Sequence, residues 1–345
     1  MLFGRLDTQA SVLTSRARII DGETDVSPTA IPEKFSSLEE AREALESVWI
    51  PNSRNLLSCS MYNGVPLPLP ANQATKIHLM ARLNSWNRAF ESYSCTTHEK
   101  DFVGNFESVS PKEKRARNVL CMHKTMTQIL VTTSTDNPVA SSEQNESLWD
   151  SFQLEFEAMV GWAAEIIHMP PDIRRESRNA STFTLDNEIL QPLFLVATKC
   201  RHRRIRNKAI ILLKESDRQE GLWNSLLTAK VAEKIRDVEE AGLETKTEIV
   251  PEQNRLWKIY MKFEFEGYRG RRAWLAFRRH GFPSAYESGE WIQLYEENTP
   301  FETFGAQSEW TDSSIQAHSI PELGRISRET PFEPELRISI KSAAP

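Results

Sequence analysis

A chain of 345 residues is long enough to bury a full hydrophobic core, and 39% hydrophobic with 26% charged residues is typical of globular proteins. The net charge of -6 argues against a protein that holds nucleic acid by overall electrostatic attraction, because that mode needs a strongly basic domain. The apolar run at 189–197 is interrupted and far shorter than the roughly 20 residues that span a bilayer, so we expect no membrane segment.

The amino-terminal sequence MLFGRLDTQA carries charges and has no long apolar stretch, so it does not predict a secretory signal. Its hydrophobic residues already follow helical spacing without a preceding capping residue. We therefore expect an intracellular protein whose chain starts partway through a helix.

Residue spacing argues against the common catalytic and metal sites. The four cysteines, at positions 59, 95, 121 and 200, form no CxxC pair, and the seven histidines never fall into an HxxxH or HExxH pattern. No phosphate-cradling glycine loop and no GxSxG motif occur either. The sequence predicts no metal site, no cofactor and no catalytic residue.

The first half of the chain predicts four helices. Ser37 and Glu40 form a capping-box pattern ahead of a short amphipathic helix. Apolar residues at helical spacing indicate further helices over 75–93 and 112–131, and the longest periodic stretch runs over 148–167. We expect the polar segments between these helices to be loops.

The segment from Asp186 to Gly242 predicts three successive helices with short joints, which favours antiparallel neighbours. The first of them is apolar on several sides, so we expect it to be buried at the centre of the fold. We expect the polar segment DIRRESRNASTF, which precedes these helices, to be a loop.

The hydrophobic period then changes from helical to alternating. Residues 257–265 and 273–278 alternate on either side of the turn sequence EGYRG and predict a β-hairpin, to which 291–295 adds a third strand. The expected fold is mostly α with a small carboxy-terminal β-hairpin or meander.

This pattern predicts that the chain is divided into three parts. A helical regulatory domain is expected over 1–245, and a β-hairpin appendage packed on it over 246–298. The polar composition beyond Thr299 predicts a flexible tail over 299–345.

The densest basic run, RHRRIRNK, lies at the joint between two of the predicted helices. Its cations are expected to complement the negative end of the preceding helix and otherwise to face water. The functional alternative is a docking surface for an acidic partner or a phosphate. That surface would consist of Arg201, Arg203, Arg204 and Arg206.

A second basic cluster, PKEKRAR, has the composition of a nuclear-localisation patch, although Glu113 interrupts it and the same residues suit the first turns of a helix. The patch would consist of Lys112, Lys114, Arg115 and Arg117.

Several phrases resemble the carboxy-terminal regulatory region of fungal binuclear zinc-cluster transcription factors. They include SFQLEFEAMVGWAAEII, PLFLVATKCRHRRIRNKAIILL, EGLWNS, AKVAEKIRDVEE and RGRRAWLAFRR, in that family's order over about residues 2–280. The resemblance implies a nuclear regulator linked to secondary metabolism. Its partners would be full-length transcription factors or a second copy of the chain.

The six closely spaced cysteines of that family, which bind two zinc ions, have no counterpart here, so direct DNA binding is not expected. We expect a chain shortened relative to the family. The first hypothesis is therefore a transcription-regulator-like protein that lacks its own DNA-binding module. The alternatives are a helical interaction adaptor in the cytosol and, third, an enzyme with a pocket among the helices.

Overall fold

A computed structural model describes most of the chain up to residue 293. The helix expected at the amino terminus and the tail expected beyond Thr299 lie outside the described residues. The described ranges are 30–49, 73–101, 110–134, 146–169, 182–184, 188–221, 223–266, 269–279 and 290–293.

The described part of the chain is mostly helical, which confirms the predicted fold class. The first three helices cover the segments that hydrophobic periodicity indicated, and the fourth covers most of its segment. The α-helices are α1 (Leu38–Trp49), α2 (Gln73–Asp101), α3 (Pro111–Thr133), α4 (Gln153–Ile167), α5 (Leu190–Lys199), α6 (Arg203–Glu215) and α7 (Ser225–Glu240).

Helix α1 begins with the predicted capping serine. The Glu40 amide donates to Ser37 Oγ at 3.1 Å, which satisfies one of the free amides of the first turn. The Glu40 carboxylate accepts from the amide and the hydroxyl of Ser36, one residue before the capping position.

Aromatic residues join α1 to α2. Trp86 is 1% exposed, and its indole Nε1 donates to the carbonyl of Ala41 at 2.7 Å. The same ring stacks on Phe90 with centroids 4.6 Å apart and packs against Phe35. The periodic aromatic stripe of α2 is therefore core, as its spacing indicates.

The stretch predicted as one helix over 148–167 begins differently. Glu146–Phe152 forms a 3-10 helix, and α4 starts only at Gln153. The reason is tertiary, since Glu146 and Asp150 are held by cations from other elements. Helical periodicity alone does not carry that information.

Helix α5 is the centre of the fold, because all ten of its residues are buried. Helices α6 and α7 pack against it and against each other. Two polar contacts fix the direction of this pair: Arg203 pairs with Glu240, and Lys214 with Glu233. The predicted antiparallel arrangement is thus confirmed for α6 and α7.

Short strands lie beside α5, and the first of them begins inside the segment that was expected to be a loop, so that expectation was wrong at 182–183. Strand β2 (Arg218–Glu220) pairs in parallel with β1 (Thr182–Thr184) and antiparallel with β3 (Trp223–Asn224). Strands of two or three residues are too short to show an alternating pattern in the sequence.

The predicted hairpin and third strand are both present. Strand β4 (Leu256–Glu266) pairs antiparallel with β5 (Arg269–Arg279), and β5 with β6 (Glu290–Gln293). Leu275 and Phe277 of β5 belong to the same hydrophobic core as the helices. The division of the chain into a helical domain, an appendage and a tail stays a prediction.

Within the described residues, no helix combines the length and the apolar composition needed to cross a membrane.

Candidate functional site

The predicted basic site lies at the joint between α5 and α6, and its first arginine is inside the protein. The Arg201 side chain is 0% exposed. Its Nη1 donates to the carbonyl of Thr198 at 2.7 Å, in the last turn of α5. Cations at this end of a helix offset the partial negative charge of the free carbonyls.

Glu239 of α7 joins Arg201 to Arg206. Its carboxylate accepts from Arg201 Nη2 at 2.9 Å and from Arg206 Nη2 at 2.6 Å, and all three side chains are 0% exposed. The same carboxylate accepts the amide of Leu256 at 2.8 Å, which ties the first residue of β4 to the helices. One buried carboxylate thus connects three elements.

Burial raises the pKa of Glu239, but the positive charges of Arg201 and Arg206 outweigh it, so the pKa lies below its ordinary value. Glu239 is therefore ionised at neutral pH. The buried triad consists of two cations and one anion.

Glu146 of the 3-10 helix supplies a second anion to this cluster. It accepts from Arg201 Nη2 at 3.0 Å and from Lys199 Nζ at 3.1 Å. The Lys199 ammonium also lies 5.1 Å from the centroid of the Trp149 ring, within the range of a cation–π contact. Burial lowers the pKa of Lys199, and the charge of Glu146 opposes that change.

Arg203 organises the loop that follows α7. Its Nη1 donates to the carbonyls of Glu244, Thr245 and Thr247 at 3.0–3.1 Å, while its Nε donates to Glu240 at 2.7 Å. Arg203 therefore fixes the backbone of this loop.

Arg204 differs from the other three arginines because its side chain is 67% exposed. It pairs with Glu157 of α4 at 2.7 Å, a surface contact that contributes little to stability.

The expectation that these cations face water is wrong for Arg201 and Arg206, because buried carboxylates on other elements pair with them. The expected complement to the end of α5 is confirmed by the contact of Arg201 with Thr198. Binding of an acidic partner or phosphate by the four arginines stays a prediction. Of the four, only Arg204 has an exposed guanidinium group.

Glu239 was missed by sequence reasoning, although a signal existed. It follows Val231 and Ile235 at four-residue intervals, on the apolar face of α7. A carboxylate on that face needs a buried cation, since an unpaired buried charge is very costly. Arg206 gives the same signal on α6, where it shares a face with Ala209 and Leu213.

A second buried carboxylate, Glu220 of β2, caps the amino terminus of α5. It accepts the amides of Glu188, Ile189 and Leu190 at 2.9–3.1 Å. Burial raises the pKa of Glu220 above its ordinary value, and the positive charge of Arg218 only partly opposes that change. This contact explains how α5 starts without a capping side chain of its own.

The predicted nuclear-localisation patch forms the first two turns of α3, as its alternative interpretation suggested. Lys114 pairs with Glu165, Arg115 with Glu188 and Arg117 with Glu113, while Lys112 is exposed. Recognition of the patch as a transport signal stays a prediction.

The charged groups of the joint are matched by opposite charges from other elements, so the arrangement positions helices and backbone. In the described ranges, no three His, Cys, Asp or Glu side chains are grouped so as to hold a metal ion.

The chain is similar to a known protein over part of its length. Over 118 residues the chain is 33% identical to the aspercryptin biosynthesis cluster-specific transcription regulator atnN of Emericella nidulans. The match covers 32% of this chain and 18% of that protein, so it spans less than a fifth of the relative's length. No family model matches the chain, and no solved structure matches it. This chain is thus similar, along about a third of its length, to a fungal cluster-specific transcription regulator.

Proposed function

We propose that this chain is a transcription-regulator-like protein that acts on a biosynthetic gene cluster. The observation that carries the proposal is the 33% identity over 118 residues with a cluster-specific transcription regulator. The order of the family-like phrases in the sequence supports it. The mostly helical fold is the one that the resemblance implies.

We propose further that the chain reaches DNA through a protein partner. Its four cysteines are too far apart to bind a binuclear zinc cluster, and its net charge of -6 does not favour overall attraction to DNA. The arginines of the basic joint also contribute little exposed charge, because Arg201 and Arg206 are occupied by Glu239.

A tethering experiment tests the regulatory role. The full chain is fused to a heterologous DNA-binding domain and expressed with a reporter gene that carries the matching sites. We expect reporter expression to rise or fall several-fold relative to the DNA-binding domain alone, and a reporter without the sites to stay unchanged. A fusion that is nuclear and well expressed, yet leaves the reporter unchanged, would contradict the proposal.

Selection from a random double-stranded DNA library tests the indirect route to DNA. The purified full chain should enrich no sequence motif, whereas a full-length zinc-cluster factor selected in parallel should enrich its own. A motif enriched by this chain alone, and then bound tightly in a mobility-shift assay, would show that it reads DNA directly.

The tagged chain in living cells separates the regulator from the cytosolic adaptor. A regulator is expected to enter the nucleus under at least one growth condition. Nuclear exclusion under every condition would favour the adaptor.

A further inference from the structure

Strand β4 forms one edge of the carboxy-terminal sheet in the described part of the chain. The strand order is β4-β5-β6, so β4 pairs with β5 on one side and with no described strand on the other. Strand β4 has 11 residues, whereas β6 at the opposite edge has four. An edge strand presents a row of backbone N–H and C=O groups to a further strand, and natural proteins usually keep such edges short. The long edge of β4 is therefore a candidate contact surface.

The middle of β4 has a regular ladder. Its pairing with β5 shifts register just before Lys258 and just after Glu264, and it is uninterrupted between them. The backbone at Leu256, before this stretch, is already bound through its amide by Glu239. The regular stretch has seven residues and is centred on Met261. It is the part of the edge that a further strand can follow without a break.

The two faces of this stretch differ in polarity. Ile259 is buried in the hydrophobic core, as is Phe277, its partner on β5. Because successive residues of a strand alternate between faces, Met261 lies on the same face as Ile259, and the even-numbered residues from Lys258 to Glu264 lie on the other. A strand that joins this edge must keep its apolar face on the core side, and a shift by one residue would turn that face over.

The charges of the polar face match a second copy of the same strand. When two copies of 258–264 pair antiparallel over their whole length, Met261 lies opposite its own copy, and Lys258 lies opposite Glu264 of the second copy. The two-fold symmetry of such a pair gives this contact twice. A shift by two residues would place Lys262 opposite Lys258 in one direction and opposite its own copy in the other. The charge pattern therefore favours the full-length register.

The same pairing improves the surroundings of Lys258. Within its own sheet Lys258 lies opposite Arg278, and like charges directly opposite each other are destabilising. Glu264 lies opposite Arg272. In the joined sheets each Glu264 would lie between Arg272 of its own chain and Lys258 of the second copy. A carboxylate supplied by the second copy would thus offset the repulsion between Lys258 and Arg278.

We propose that β4 is a self-association surface, on which two copies of the chain join their sheets edge to edge through residues 258–264 into one six-stranded sheet. A second copy fits this edge because the same seven residues, read in the opposite direction, supply both the complementary charges and the matching apolar face. The pairing closes after two copies, since it uses the long edge of each sheet. This contact is independent of the proposed role in transcription.

Sedimentation equilibrium of the purified full chain, over a range of concentrations, tests whether it self-associates. The mass should rise with concentration from 39.6 kDa toward twice that value and fit a monomer and a dimer alone. A mass that stays at 39.6 kDa at every concentration would overturn the inference. A mass that continues to rise beyond the dimer would also overturn it, because edge pairing in this register is closed.

Two single variants locate the contact and its register. In a symmetric dimer K258E places carboxylates opposite each other twice, and E264K does the same with ammonium groups. Each variant alone should dimerise at least about tenfold more weakly than the parent chain. A mixture of the two should form a heterodimer about as readily as the parent forms its dimer, because both contacts then join opposite charges.

The control variant is K246E, which reverses a lysine that is 86% exposed on the loop after α7. It should dimerise like the parent chain. Thermal melting of each variant checks that the fold is intact. K258Q removes the charge without reversing it, so it should weaken the dimer to a smaller extent, and it takes the place of K258E if that variant does not fold.

A parent dimer that neither charge reversal weakens, or a mixture of the two folded variants that stays monomeric, would show that the interface is not 258–264 in this register and would overturn the inference. The tethered reporter gives a separate result. A monomeric parent chain that still changes the reporter would remove this inference alone, and a dimeric chain with a silent reporter would remove only the proposed function.

Discussion

At the scale of single residues, Glu239 has the strongest influence on the joint between α5 and α6. It holds two guanidinium groups and one backbone amide in a region without exposure to solvent. A buried ion pair contributes little net stability when it forms, but breaking it leaves a buried charge without compensation. The joint is therefore sensitive to any change at Glu239.

The substitution E239Q should lower the free energy of unfolding by about 3–5 kcal/mol, because Arg201 and Arg206 stay buried without their shared counter-charge. Denaturant unfolding of the purified chain measures the loss. E244Q is the control, since Glu244 is 70% exposed and pairs with exposed Lys246, and it should change stability by less than about 0.5 kcal/mol. Similar losses in the two variants would show that burial of the triad is not the cause.

The cost of E239Q should also depend on pH. Because the folded-state pKa of Glu239 is lowered, its stabilising contribution is fully present above the ordinary carboxyl pKa. The contribution is lost as pH falls through the lowered value. The difference in unfolding free energy between the parent chain and E239Q is thus expected to be constant near neutral pH and to shrink in acid. A difference that grows as the pH falls would contradict a lowered pKa for Glu239.

At the scale of elements, two glycines have opposite conformational requirements. Gly161 lies inside helix α4, and a Cβ built there meets no atom within 4 Å. Gly242 follows the end of α7 with a φ of +77°, a conformation that side chains disfavour. The same substitution should therefore have opposite effects at the two positions.

G161A should raise the free energy of unfolding by roughly 0.5–1 kcal/mol, because alanine is the better helix former. G242A should lower it by about 1–2 kcal/mol, because a Cβ is strained at positive φ. The two variants serve as controls for each other in denaturant unfolding. Destabilisation by G161A would indicate that the structure around α4 is more crowded than described.

Much of the element order is predictable from sequence because it depends on periodicity. The apolar stripe of α2 and the alternation in β4 are local patterns, and both elements formed as expected. The start of α5 depends instead on Glu220, about thirty residues away in sequence. Such a cap leaves no local pattern, so only the structure could show it.

The basic joint was predictable as a site of charge and not as a site of burial. A run of four arginines in six residues is usually solvated, so the sequence favoured side chains that face water. The decisive partners, Glu146 and Glu239, come from distant parts of the chain. Charged residues on the apolar faces of α6 and α7 were the one local sign of this pairing.

At the scale of the whole molecule, the described unit is a helical core to which a β-hairpin is attached by hydrophobic packing and by Glu239. The buried arginines of the joint, Arg201 and Arg206, pair with Glu239 and so hold these parts together. A protein of this kind can act by presenting a stable surface to a partner, which is the role that we propose in transcription.

Deletion of the gene in the source organism, followed by profiling of all transcripts, tests the central claim most directly. The account predicts that the transcripts of a contiguous set of biosynthetic genes change together by several-fold, and that reintroducing the parent chain restores them. If no biosynthetic gene changes under conditions in which the parent protein is present in the cells, the proposed role in transcription is contradicted.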